Sequence, residues 1–435
     1  MDPLYTVGQW WLPESPYVRV AGELQFSPKD GVTLNLVGDP LGRGKDHDES
    51  SYPVVYGIIA GAEVTLLEVI AAGRGFSLPG PKTFRFRAEY VLVGGHVLDD
   101  AFDSCSARMS VLDEWSHFGG VDMPPPGTPS ELGFIYNRPE PFKAEILDGV
   151  DLKLIAVAGE SHFLTEHKLT WAAWWQLRFP GAKTLREIES SYLHPLQDLL
   201  SVATDRPIAV RYFEVQKSSN GLLMGLKVGR QWSYTDEGQS SVGIPLFTAN
   251  QLDFTSVVPR WFDLCKELRE VRALALSDRF LGPLPVDNMF INIVGAAEAL
   301  DRAKHPNAGS DLLERVRGHI DALIEAAPED DRDCVKGYLK HTYDPSLKRR
   351  LVRLASEIGP LAQRITGEDI SKWASAVRNA RDGLTHRDGS QKGKQRDWPI
   401  VLSLGKGVEA LVMTRLMQLA GIDEALIREA WDISN

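Results

Sequence analysis

The sequence predicts an α+β multidomain protein: a β-rich N-terminal domain, sandwich-like or barrel-like with one helix, followed by an all-α C-terminal domain. From residue 1 to about 245, apolar and polar residues alternate, as in Val32-Thr33-Leu34-Asn35-Leu36, and this period of two is typical of half-buried antiparallel strands. From about Pro259 the apolar spacing becomes helical, as in the stripe Phe290, Ile293, Val294, Ala297 and Leu300. The length of 435 residues also exceeds one ordinary domain.

The individual elements support this division. Alternation recurs around Phe84–Ala88 and Val150–Leu154, and Asn220-Gly221 lies between two apolar runs as a strong hairpin signal. One helix is predicted over Thr184–Val202, with its leucines and Tyr192 on one face. Because strand-type sequence precedes helix-type sequence without alternating with it, we expect separate domains. We place them at residues 1–248 and 249–435.

Composition restricts the class of protein. The net charge is −11, with 21 basic against 31 acidic residues in 1–250, which argues against a general nucleic-acid coat. No apolar run approaches the roughly 20 residues of a membrane span, and the N-terminus lacks the pattern of a signal peptide. The cysteines, Cys105, Cys265 and Cys334, are far apart and predict neither disulfides nor a zinc site. We therefore expect a cytoplasmic protein with no membrane partner and no metal or other cofactor.

The candidate active site is the stretch Arg378–His386, whose centre is Arg381-Asp382-x-x-x-His386. Arginine offers fixed donors and a permanent positive charge to a phosphodiester, and histidine exchanges protons near neutral pH. Asp382 and Thr385 can orient either side chain. An arginine and a histidine near a helix C-terminus are also favoured by the helix dipole alone, so spacing by itself leaves a structural role open.

Two further features bear on this motif. At roughly 100° per residue, Arg381 and His386 lie about 140° apart on an ideal helix. They converge only if the helix unwinds near Gly383 or if a second subunit supplies the partner group. A basic tract with Arg387, Lys392 and Lys394 follows, and it either attracts phosphate or forms a solvated loop.

The combination resembles a known family. An arginine, a polar residue and a histidine at this spacing, near the end of a penultimate long helix, are similar to the signature of HEPN domains. The segments Gly22–Phe26, Gly31–Leu36 and Gly61–Leu67, with Gly94-Gly95-His96 and Leu112–Trp115, resemble the β-rich N-terminal domain of ApeA proteins. Those proteins join this domain to a C-terminal HEPN helical bundle, and the likeness covers essentially the whole chain.

The resemblance implies an antiphage protein acting by abortive infection: a metal-independent HEPN endoribonuclease that cleaves host RNA, with tRNA as the favoured substrate. It implies a homodimer or higher homo-oligomer through the HEPN domain and a phage-derived activator at the N-terminal domain. His386 would be the general acid or base, Arg381 would stabilise phosphorane charge, and Asp382 would orient one of them.

The remaining site residues follow from the same resemblance. The candidate substrate-binding residues are Arg378, Thr385, Arg387, Lys392 and Lys394. Glu298 is either a supporting acid facing the motif or an exposed helix charge. Because some HEPN domains do not cut RNA, a non-catalytic sensor or scaffold that binds a nucleotide or a phage partner is the alternative.

Overall fold

The computed structural model describes residues 1–38, 51–75, 82–119, 121–122, 135–163, 166–219, 222–236, 244–280, 284–308, 310–339, 345–385 and 397–434. The chain forms two compact units, Met1–Phe262 and Asp263–Asn435. The domain boundary predicted after residue 248 stays a prediction, since a compact unit need not end where a domain does.

Six strands of the first unit close into a barrel: β1 (Leu4–Trp11), β2 (Val20–Ser27), β3 (Gly31–Val37), β4 (Ser51–Ile59), β5 (Ala62–Gly75) and β6 (Thr83–Val93). Neighbours pair antiparallel in the order β6-β3-β2-β1-β4-β5, and β5 pairs with β6 to close the ring. The inward side chains of the alternating pattern, among them Trp10, Leu24, Leu34 and Val55, form a buried core. The predicted barrel-like N-terminal fold is confirmed.

The barrel continues into an open antiparallel sheet. Its strands are β7 (Phe102–Met109), β10 (Phe142–Ile146), β11 (Val150–Phe163), β12 (Glu166–Lys183), β13 (Val210–Ser219) and β14 (Leu222–Arg230), while β8 (Val121–Asp122) and β9 (Ile135–Tyr136) pair separately. The order is β10-β11-β12-β7-β13-β14, and β14 pairs with β6 beyond the point where β3 ends. The predicted hairpin is confirmed because Ser219 pairs with Leu222; its turn, residues 220–221, lies outside the described residues.

The predicted helix of this unit is present as one continuous helical stretch. It comprises α2 (Leu185–Ile188), a π-helical turn (Glu189–Leu193) and α3 (His194–Thr204), and a short α1 (Leu112–Ser116) precedes it in the chain. A capping box between Thr184 and Glu187 begins α2. Tyr192 packs on Phe179 of β12 at 5.2 Å between ring centroids, so the helical stretch covers the apolar face of the open sheet.

The second unit is all-α in the described residues, as predicted. The helices from the unit boundary onward are α4 (Phe254–Glu267), α5 (Arg269–Ala275), α6 (Ser277–Phe280), α7 (Val286–Lys304), α8 (Ser310–Ala326), α9 (Arg332–Leu339), α10 (Leu347–Glu357), α11 (Leu361–Thr366), α12 (Ile370–Thr385), α13 (Trp398–Ala420) and α14 (Glu424–Ser434). Helices α7, α10, α12 and α13 pack on one another, and the predicted stripe of α7 is buried. None of the helices in the described part of the chain has the length and apolarity needed to cross a lipid bilayer.

Candidate active site

The candidate site is carried by the last two turns of α12. Asp369 caps the N-terminus, accepting a hydrogen bond from the Lys372 amide at 2.8 Å. Ala374 and Val377 are fully buried, and they hold the helix against its neighbours in the bundle. Arg381 lies seven residues after Ala374 and therefore on nearly the same side, yet it is only half-buried. Leu384, three residues further on, is buried again, so the motif lies on the half-exposed side of a helix that stays packed to its last turn.

Helix α12 is continuous through Gly383 to Thr385. The helix therefore does not unwind at Gly383 itself. Whether the chain unwinds just past Thr385 and so brings the two motif residues together stays a prediction. His386 itself lies outside the described residues, as do Arg387, Lys392 and Lys394. Among the described residues, the structure places the arginine half of the motif, together with Arg378, Asp382 and Thr385.

These four side chains form one polar stripe. In a continuous helix, Arg381, Thr385, Arg378 and Asp382 project within an arc of about 100°. The Arg381 guanidinium lies 3.5 Å from the Asp382 carboxylate, and the two side chains are 36% and 48% exposed. Such a long, solvated ion pair holds the arginine weakly, so its donors remain open to an incoming anion.

The other two members are engaged locally. Arg378 donates to the side-chain oxygen of Asn379 at 3.0 Å. The Thr385 hydroxyl donates to the Arg381 carbonyl at 3.1 Å. This bond closes back on the preceding turn and engages the Thr385 hydroxyl within α12.

Glu298 lies on α7, which packs against α12. It is half-buried, and among the described residues it makes no hydrogen bond or ion pair. It is therefore neither tied into the bundle nor directly joined to the motif arginines, and both roles proposed for it from the sequence stay predictions.

Sequence reasoning missed the acidic residue that the bundle does bury. Asp301, one turn after Glu298, is 0% exposed and accepts from Arg350 at 2.9 Å and from Arg353 at 2.7 Å, both on α10. The carboxylate raises the pKa of Arg353. The sequence did contain a signal for this cluster. Asp301 continues the apolar stripe of α7, and a charged residue at a core position requires a partner.

A second ionic link joins the same helices. Glu357 of α10 hydrogen-bonds to the ring of His305, just after α7, and forms an ion pair with Arg415 of α13 at 3.1 Å. Both links lock α10 to its neighbours, and α10 in turn packs on α12. The carboxylates in these links are engaged within the bundle, whereas the side chains of the Arg381 stripe are half-exposed or exposed. Within the described residues, no group of three or more His, Cys, Asp or Glu side chains is placed to hold a metal ion.

Comparison with protein families identifies the architecture. Residues 6–261 match ApeA N-terminal domain 1, and residues 291–426 match Apea-like HEPN. The chain belongs to the ApeA family. The HEPN match contains the whole of α12 and its Arg381 stripe, and it indicates a ribonuclease-type enzyme, while the ApeA assignment points to antiphage defence. No curated protein and no solved structure matched the chain.

Proposed function

We propose that this ApeA-family protein is a cytoplasmic, metal-independent endoribonuclease that acts in abortive infection. It cleaves host RNA, with tRNA as the favoured substrate, when a phage product engages the N-terminal domain. The observation that carries the proposal is Arg381, a half-exposed arginine on a family-matched HEPN helix, whose guanidinium makes only a long contact with Asp382.

The proposed reaction needs no group beyond this chain and the RNA. The 2′-hydroxyl attacks the adjacent phosphorus, the bond from phosphorus to the 5′-oxygen breaks, and a 2′,3′-cyclic phosphate and a free 5′-hydroxyl result. His386 moves the proton, an effect worth about 10²–10⁴-fold in rate. Arg381 places fixed donors on the developing phosphorane charge, and Asp382 orients it.

The proposal includes a homodimer. On an ideal helix, positions five residues apart, as Arg381 and His386 are, project about 140° apart. With that spacing, a cleft between two copies is the simplest arrangement that brings an arginine and a histidine to one phosphate.

The test is RNA integrity in bacteria challenged with phage, comparing wild type with Arg381→Ala and His386→Ala. Matched controls are Arg428→Ala, which removes an exposed i,i+4 pair with Glu424, and His319→Ala, which removes an exposed histidine of α8. We expect wild type and both controls to fragment tRNA and both motif variants to leave it intact. Protein purified from phage-challenged cells should cleave in excess EDTA and leave 3′ ends that block ligation until the cyclic phosphate is opened and the resulting phosphate is removed.

Two results would contradict the proposal. Motif variants that are folded and still cut RNA would give Arg381 and His386 a structural role. A wild-type protein that protects against phage while all RNA stays intact would assign the chain to the non-catalytic sensors and scaffolds.

A further inference from the structure

The open sheet of the first unit carries a polar trough on the face opposite its apolar core. The trough encloses about 270 Å³, and every residue lining it belongs to β7, β11, β12, β13 or β14. It is formed entirely within the first unit and is separate from the HEPN motif. The function proposed above uses none of its residues.

Strand register explains the shape of the trough. Residues that pair directly across an antiparallel sheet point to the same face. One row across the sheet is Asp151, Arg178, Ser104 and Gln216, and the next is Lys153, Gln176, Ser106 and Glu214. The short serines occupy the central strand β7 while longer side chains stand on both sides.

The polar groups of the trough have unused hydrogen-bonding capacity. The Ser104 hydroxyl donates to the Gln216 amide oxygen at 2.9 Å, which leaves the Gln216 amide nitrogen to donate elsewhere. The side chains of Ser106 and Gln176 form no hydrogen bond with any described residue. The floor and one wall of the trough can therefore donate hydrogen bonds to a bound molecule and accept hydrogen bonds from it.

Two unpaired cations stand at the other wall. Lys153 and Arg178 are diagonal neighbours on β11 and β12, with Cβ atoms on the order of 7–8 Å apart, so both heads can reach one phosphate. Arg178 lies directly across from Asp151, yet neither Arg178, Asp151 nor Lys153 forms an ion pair with a described residue. Lys153 and Arg178 are the two cations of a lining that also holds Asp103 and Asp151; as neighbours without an ion pair, they offer charged donors to an anionic ligand.

We propose that this trough binds a small phosphorylated molecule of nucleotide size, a nucleoside monophosphate. Lys153 and Arg178 hold the phosphate. Gln216 lies two strands from Arg178, about 10 Å away at the usual strand spacing, which is the reach from a nucleotide's phosphate to its base. The side-chain amide of Gln216 offers a donor to a base edge, and Asp103, at the same side of the trough, accepts from an amino or hydroxyl group.

The test is equilibrium binding of the four ribonucleoside 5′-monophosphates, and of inorganic phosphate, to the purified full-length protein. All proteins carry Arg381→Ala, so that binding at the HEPN motif is weakened equally throughout. The trough variants are the double substitution Lys153→Gln/Arg178→Gln and the near-isosteric Gln216→Leu. The matched control is Lys143→Gln, because Lys143 is exposed, pairs with Lys153 across β10 and β11, and does not line the trough.

We expect at least one nucleotide to bind with a dissociation constant of about 1 mM or tighter. The double variant should weaken it about 10-fold or more, since charge-assisted contacts are lost, and Lys143→Gln should leave it unchanged. Gln216→Leu should weaken the nucleotide but not inorganic phosphate. These side chains lie on the polar face, so the variants should keep the melting temperature of the parent.

Three outcomes would overturn the proposal. The first is no binding of any of the four nucleotides, and the second is binding that the double variant does not change. The third is phosphate binding as tightly as the nucleotides with no effect of Gln216→Leu, which would make the trough a simple anion site.

Discussion

At the scale of single residues, Asp301 and Glu298 make a natural pair for comparison. They lie one turn apart on α7, but Asp301 is fully buried between two arginines whereas Glu298 is half-buried with no partner among the described residues. Removing one member of a buried ionic cluster leaves the others desolvated and uncompensated. Removing Asp301 and removing Glu298 should therefore have different consequences for the stability of the protein.

We expect Asp301→Ala to destabilise the HEPN unit by about 3–5 kcal/mol, because Arg350 and Arg353 keep their charges inside the bundle. Glu298→Ala should change stability by less than about 1 kcal/mol. Urea unfolding followed by tryptophan fluorescence measures both. Equal losses of stability would show that burial of Asp301 between the arginines has no energetic consequence.

Glu298→Ala also tests a role in the reaction. If Glu298 supports the motif, the variant should lose RNA cleavage by about 10-fold or more while its unfolding curve stays that of wild type, since the residue then acts on substrate or on the motif arginine. Full activity with an unchanged unfolding curve would make Glu298 an ordinary helix charge.

Tyr90 predicts a response to alkaline pH. Burial raises its pKa to about 12, and its hydroxyl donates to the buried Glu189 at 3.2 Å. Between pH 10 and pH 12 the unfolded chain releases this proton and the folded chain retains it, so the stabilisation is complete below pH 10 and is lost as pH rises through 12. Tyr90→Phe should lose less stability than wild type between pH 9 and pH 11.5 in chemical denaturation. Identical pH profiles would contradict this assignment.

At the scale of elements, the barrel depends on a close approach between β4 and β1. A Cβ atom at Gly57 would lie 2.3 Å from the Trp10 ring, and Trp10 is fully buried in the barrel core. Gly57→Ala therefore should destabilise the first unit by about 1–3 kcal/mol, as overpacking does. Gly73→Ala on β5 is the matched control, because no atom lies within 4 Å of its Cβ position. Thermal melting compares the two, and the same loss in both would exclude the contact as the cause.

The elements also show what sequence patterns can predict. The alternation of apolar and polar residues predicted the strands because each strand has one buried face. Asn220-Gly221 predicted the hairpin because its turn depends on local sequence. The closed ring was not predictable, since β6 pairs with β3, β5 and β14, and such non-local pairings leave no mark in the spacing of apolar residues. Likewise, helical spacing predicted a helix around Arg381, but only the three-dimensional packing shows that Arg381 is half-exposed between the buried Val377 and Leu384.

At the scale of the whole molecule, the HEPN motif makes a prediction about subunit sharing. If each phosphate is held by Arg381 of one copy and His386 of the other, an equal mixture of Arg381→Ala and His386→Ala proteins should recover activity that neither shows alone. Half of randomly formed two-fold dimers are mixed, and each mixed dimer keeps one of its two arginine–histidine combinations. The mixture should therefore reach roughly a quarter of wild-type tRNA cleavage after the subunits are unfolded and refolded together.

The control is a mixture of Arg381→Ala with the double variant Arg381→Ala/His386→Ala, which has no intact arginine and should stay inactive. A mixture of the two single variants that is equally inactive, while sedimentation shows mixed dimers, would mean that both residues must come from one subunit.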